Sequence, residues 1–178
     1  MRRVVLIGFM GAGKTTVGRA LARRLRWKFC DLDDVIEQRE RQSVARIFAA
    51  SGEAGFRRIE SAALRDLLQD KTGASDLVLA LGGGAFVQAE NREVLEQAGA
   101  ITVLLEAPLE ELRRRCRGER KVRPLAQQDE RFAELFAARR ADYELARFCV
   151  QTLGKSVEQV AAEVEQLLQA IMKAEVEK

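Results

Sequence analysis

The stretch Gly8-Phe9-Met10-Gly11-Ala12-Gly13-Lys14-Thr15 constrains this chain more than any other. It matches G-x-x-x-x-G-K-T, the pattern of a loop that wraps a phosphate with its own backbone amides. Its flanks fit that role. Residues 4–7 (Val-Val-Leu-Ile) are a short β-branched apolar run of the kind that forms a buried parallel strand. Residues 16–25 carry apolar side chains at Val17, Leu21 and Leu25 and cations at Arg19, Arg23 and Arg24, an amphipathic helix. Strand, glycine loop and helix together aim N–H groups and the positive end of a helix at one anion. In such a loop Gly11, Ala12 and Gly13 supply the cradle, Lys14 reaches the β and γ phosphates, and the Thr15 hydroxyl can ligate Mg²⁺, with Thr16 following on the helix. A glycine turn that binds nothing would not need the lysine, the hydroxyl and both flanks.

The remaining composition narrows the chemistry. The chain has 178 residues, enough for one α/β domain, and a net charge of +3 from 30 basic and 27 acidic residues. That balance gives no reason to expect nucleic acid or a membrane as partner. There is no histidine, which removes Ser-His-Asp chemistry, histidine bases and histidine metal ligands. Cys30, Cys116 and Cys149 are far apart and odd in number, so reduced thiols in a cytoplasmic protein are expected. The apolar run before the loop is too short for a signal sequence or a membrane span.

Periodicity predicts strands over 4–7, 28–31, 77–81, 101–105 and 148–150. Helices are predicted over 16–25, from 33 past 40, 43–48 with Ser43 as cap, 53–68, 91–98, 109–115, 130–146 and 156–172, with Ser51-Gly52 as a break. Residues 118–128 break the pattern and are expected to form a mobile loop. Alternating strands and helices imply a parallel sheet covered on both faces, with the ligand at the carboxyl ends of the strands.

Several residues fall at those ends. Asp31, Asp33 and Asp34 follow the second strand; Asp31 and Asp33 would share a face while the chain stays extended. They could hold Mg²⁺ through water and accept a hydroxyl proton, or they could simply cap a helix. Gly82-Gly83-Gly84 at a strand end lets a ligand approach the backbone. Arg57 and Glu60, three apart on a helix, read most simply as a surface ion pair, and Arg139 with Tyr143 is equally ambiguous. Residues 113–123 hold seven basic side chains with no aromatic among them. A lid closing over phosphates fits that run better than a single-stranded nucleic-acid platform.

Taken together, these motifs resemble the shikimate kinases. The combination is Gly-Ala-Gly-Lys-Thr-Thr, Asp31-Leu32-Asp33, Gly-Glu-Ala-Gly-Phe-Arg at 52–57, the triple glycine, Arg123-Pro124-Leu125, and Arg139 four before Tyr143. The resemblance implies one P-loop kinase domain over 1–178. Its fold would be three-layer α/β/α around a five-stranded parallel sheet of order 2-3-1-4-5, with a substrate-binding segment near 32–62 and a lid near 115–128. It implies Mg²⁺ held by Thr15 and Asp31, and Asp33 as ligand of the shikimate hydroxyls and candidate base. Arg57 and Arg139 would grip the carboxylate, with Gly82, Gly83 and Gly84 at the substrate, and Arg123 would reach the transferring phosphate. Either Arg115 or Arg117 could meet the adenine, and Arg117 is counted with the nucleotide ligands. The expected reaction is phosphoryl transfer from ATP to the 3-hydroxyl of shikimate by a cytoplasmic monomer. A kinase for another acid such as gluconate, or an RNA-binding module that has lost catalysis, are the rival readings.

Overall fold

A computed structural model describes residues 1–69, 75–118 and 129–176. Five strands, β1 (Arg3–Ile7), β2 (Lys28–Asp31), β3 (Leu77–Ala80), β4 (Ile101–Glu106) and β5 (Phe148–Gln151), form one parallel sheet. The order is β2-β3-β1-β4-β5, as the resemblance implied. Among the described residues seven helices flank it in a three-layer α/β/α arrangement: α1 (Lys14–Leu25), α2 (Leu32–Glu40), α3 (Val44–Gln69), α4 (Ala89–Gln97), α5 (Leu109–Gly118), α6 (Asp129–Tyr143) and α7 (Val157–Val176).

The central strands are apolar because both faces are covered. Val4, Val5, Leu6, Val78, Leu79 and Val103 are fully buried. Registers such as Val5 opposite Leu79 and Thr102 bring β1, β3 and β4 level, so their carboxyl ends open onto one edge. Opposite Ala80, β2 ends at Asp31.

Boundaries differ from the periodic reading where local chemistry takes over. Residues 43–48 and 53–68 run into one long element, α3, whose direction changes at Gly52 (φ 65°, ψ −177°), the break expected at Ser51-Gly52. Ser43 Oγ accepts from Arg46 N at its start. Asp33 already lies in the first turn of α2 rather than on an extended strand. α6 stops at Tyr143 because residues 144–146 close turns onto Arg140, Asp142 and Tyr143. α7 opens with a reciprocal cap: Gln159 N donates to Ser156 Oγ and Ser156 N to Gln159 Oε1. Most of the expected lid, including Arg123, lies outside the described residues.

The glycine loop is pressed into the fold. A Cβ on Gly8, where φ is +142°, would lie 2.5 Å from the Leu105 carbonyl oxygen of β4. Phe9, the next residue, is buried and meets the rings of Phe132 and Phe136 edge-on at 5.0 and 5.3 Å, so the loop also holds α6. We expect Gly8→Ala to destabilise the fold by about 2 kcal/mol, through backbone strain and overlap with a carbonyl that cannot move aside. Urea unfolding checks this; an unchanged midpoint would contradict it.

Candidate active site

The residues at the carboxyl edge converge on one cleft. It is lined by Gly11, Gly13, Lys14, Thr15 and Thr16 from the loop and α1, Asp31 and Asp33 at the start of α2, and Leu81, Gly82 and Gly83 after β3. Ala12 is buried behind the loop. The Lys14 ammonium donates to the Gly8 and Phe9 carbonyls at 2.9 and 3.1 Å, which folds it over the loop. Thr15 Oγ1 donates to Asp31 Oδ2 at 2.6 Å. Asp31 Oδ1 accepts from Asp33 N at 3.1 Å, so the same carboxylate that faces the loop also caps α2. The helix-cap reading of Asp31 therefore holds, and its other oxygen is turned to Thr15 of the loop. A hydroxyl and a single carboxylate beside a phosphate loop suit Mg²⁺, which keeps much of its water and needs few protein oxygens. Among the described residues no group of three or more Asp, Glu, Cys or His gathers as a closed metal cage.

A second cleft adjoins the first, lined by Phe48, Glu53 and Arg57 of α3 and by Arg131, Glu134, Leu135, Ala138 and Arg139 of α6. Here the sequence reading is corrected. Arg57 and Glu60 are not a surface pair: Glu60 is 1% exposed, and Arg57 Nη1 meets its Oε2 at 2.7 Å. Helical spacing puts the two on one face but cannot say that this face turns inward. The Arg57 guanidinium also lies 5.4 Å from the Phe56 ring, beside the stacked Phe48–Phe56 pair. A Cβ on Gly84 would overlap that guanidinium, so the third glycine makes room for the arginine.

Glu60 is the residue whose buried place sequence reasoning missed. Its Oε2 accepts from Arg57 and from Gln88 Nε2 (3.1 Å), while its buried Oε1 has no hydrogen-bond partner among the described residues. A Cβ on Gly82 would lie 3.0 Å from that oxygen and 2.9 Å from Asp33 Oδ1, so the two carboxylates face each other across the first glycine. Burial raises the Glu60 pKa, with the Arg57 charge working against the shift and the Asp33 charge adding to it. The signal in the sequence was the spacing to Arg57, without any indication of depth.

Arg139 and Tyr143 come together at the middle glycine. A Cβ on Gly83 would lie 3.3 Å from Arg139 Nη1 and 3.6 Å from the Tyr143 hydroxyl. That hydroxyl donates to the Gly83 carbonyl oxygen. Arg57 and Arg139 thus flank the glycine turn from two helices, a cationic pair with fork geometry suited to a carboxylate.

A third groove runs from Gly11, Gly13 and Thr16 past Arg114 and Arg115 to Thr152 and residues 154–157. Arg115 donates to Glu111 Oε1 at 2.7 Å, to Thr152 Oγ1 at 3.0 Å and to the Thr152 carbonyl at 3.1 Å. Arg117 is exposed at the end of α5 and is not part of this lining, so of the two arginines it is Arg115 that stands at the groove. Hydrogen bonds from Arg114 and Arg115 hold the Glu111 carboxyl down at about 2. Arg113 pairs with Glu110 at 3.2 Å, so two glutamates serve three of the four arginines of α5, which keeps a net positive charge.

Tyr143 is the chain's one tyrosine. Burial pushes its phenol up from 10 to about 12, opposed by the Arg139 charge. Because the folded-state value is raised, its contribution to stability is complete below pH 10 and is lost as pH rises through about 12. Ultraviolet titration of tyrosinate should show a midpoint near 12 in the native chain; a midpoint near 10 would mean that the hydroxyl is not buried against Gly83.

Comparison with known proteins agrees with this geometry. The shikimate kinase family model matches residues 10–169. The shikimate kinase of Geobacter metallireducens is 44% identical over 167 residues, 92% of this chain and 90% of the relative. That of Geobacter sulfurreducens is 45% identical over 166 residues, 92% and 88% of the two chains. A solved structure of shikimate kinase from Acinetobacter baumannii in complex with shikimate superposes with a TM-score of 0.85 at 38% identity, covering 96% of this chain and 94% of that one. With the phosphate loop, the paired arginines and the glycine turn arranged as described, this chain belongs to the shikimate kinase family.

Proposed function

We propose that the chain transfers the γ-phosphate of ATP to the 3-hydroxyl of shikimate, giving shikimate 3-phosphate and ADP. The observation that carries the reading is the junction of two clefts at residues 82–84. On one side lie the phosphate loop and the Thr15–Asp31 pair; on the other lie Arg57 and Arg139, with Asp33 at the boundary. A phosphate donor and an anionic polyol placed there would meet at Asp33.

Each residue then has a task in an in-line transfer dominated by positioning and electrostatics. The amides of Gly11, Ala12 and Gly13 and the hydroxyl-bearing Thr16 hold the phosphates. Lys14 leaves the Gly8 and Phe9 carbonyls to meet the β and γ phosphates. Thr15 and Asp31 would hold Mg²⁺, which offsets phosphate charge when bound. Asp33 orients the attacking hydroxyl and accepts its proton. Arg57, set by Glu60, and Arg139 bind the carboxylate, and the Gly82, Gly83 and Gly84 backbone lies against the ring. Arg115 stands at the base end of the groove, with Arg117 close by in sequence. Arg123, outside the described residues, reads as the lid cation. We also read the chain as one domain and a cytoplasmic monomer without a nucleic-acid partner. The ion pairs that hold Arg113, Arg114 and Arg115 to Glu110 and Glu111 favour the last point, and the thiols of Cys30, Cys116 and Cys149 fit a reducing compartment. No helix among the described residues is long and apolar enough to cross a membrane.

Steady-state kinetics of three variants test the assignments. Asp33→Asn should lower kcat at least about a hundredfold with KM for ATP unchanged. Arg139→Ala should raise KM for shikimate by about two orders of magnitude. Lys14→Ala should fold normally and lose turnover. Undiminished kcat in Asp33→Asn, or a rise in KM for ATP alone in Arg139→Ala, would contradict the respective role.

A further inference from the structure

We propose that Arg92 and Asp142 form a tether that sets where Arg139 stands over the glycine turn, both acting as positioning residues for the acceptor's carboxylate; the proposal rests on the kinase reading above. Arg92 lies in the first turns of α4, and its Nη1 donates to the carbonyls of Phe86 (2.9 Å) and Val87 (2.7 Å). Both carbonyls belong to the connection that leads from Gly84 into α4. The same nitrogen meets Asp142 Oδ1 at 3.0 Å. Asp142 is on α6, three residues after Arg139 and next to Tyr143, whose hydroxyl donates to Gly83. The last turn of α6 is therefore tied to the turn between β3 and α4 at two points, one on the middle glycine and one beyond the third.

Neither Arg92 nor Asp142 lines the phosphate cleft or the cleft of Arg57 and Arg139. Any effect they have on the acceptor must pass through position. The room for error is small, since Arg139 Nη1 would be only 3.3 Å from a methyl at Gly83. At its other half α6 rests on Phe9 through Phe132 and Phe136, and at its end the Tyr143 hydroxyl bonds the Gly83 carbonyl. The ion pair adds a second directional restraint at that end, through Arg92 and the connection beyond the third glycine. Its side chains remain 24% and 28% exposed, so as a contribution to stability alone it counts for little.

Asp142→Ala separates the tether from the stitching of the turn, because Arg92 keeps both carbonyl bonds. The expected result is a rise of about tenfold in KM for shikimate, with KM for ATP and the melting temperature nearly unchanged. Asp142→Asn, which retains an acceptor oxygen, should recover most of the loss. The tether is overturned if KM for shikimate in Asp142→Ala stays within about twofold of wild type while the wild type is active, or if both KM values rise together with a fall in melting temperature. A wild-type chain with no shikimate-dependent turnover would overturn the kinase reading and the tether with it.

Discussion

The site depends on how tightly the loop after β1 is held. Gly8 and Gly11 lie so close to the Leu105 and Leu112 carbonyls that a Cβ on either would come within 2.5 and 2.6 Å of an oxygen. The backbone is fixed by contact on one side, and Gly11 and Gly13 line the cleft on the other. Phe9 carries the restraint onward, since its ring is the surface on which α6 packs. The glycine loop and α6 are in this way built on one core: the residue that anchors the loop also seats the helix that carries Arg139.

The second cleft uses a different device. Arg57 is set by a carboxylate with almost no exposure, and Glu60 is tolerated there because Arg57 and Gln88 bond one of its oxygens. Removing one partner of such a pair leaves a buried charge, which is far more costly than losing an exposed ion pair. The three glycines separate these groups in space. The first stands between Asp33 and Glu60, the second under Arg139 and Tyr143, the third beside Arg57. A run that looks like a loose turn is a set of three places where side chains from α2, α3 and α6 press against backbone.

Much of this was legible in the sequence, for physical reasons. The glycine loop announces itself because its function needs particular residues at fixed spacing, and the strands because both their faces are buried. Asp31 was readable both as metal ligand and as cap; the structure shows the cap, with the second carboxylate oxygen meeting Thr15. The depth of Glu60 was not readable, because periodicity gives a shared face but not what that face meets; the covering residues come from 82–88, more than twenty positions away. The contact of Tyr143 with Gly83 spans 60 residues, and that of Arg92 with Asp142 spans 50. The strand order came only with the family resemblance, since crossover connections of similar length permit several orders.

The most direct test of the account is acceptor-dependent ADP release with Mg²⁺-ATP, run in parallel with shikimate, gluconate and no acceptor. The account predicts release with shikimate alone, because the roles proposed for Arg57, Arg139 and Asp33 call for an acceptor that presents a carboxylate and a ring hydroxyl together. Equal release with gluconate, or none with shikimate despite measurable ATP binding, would contradict it.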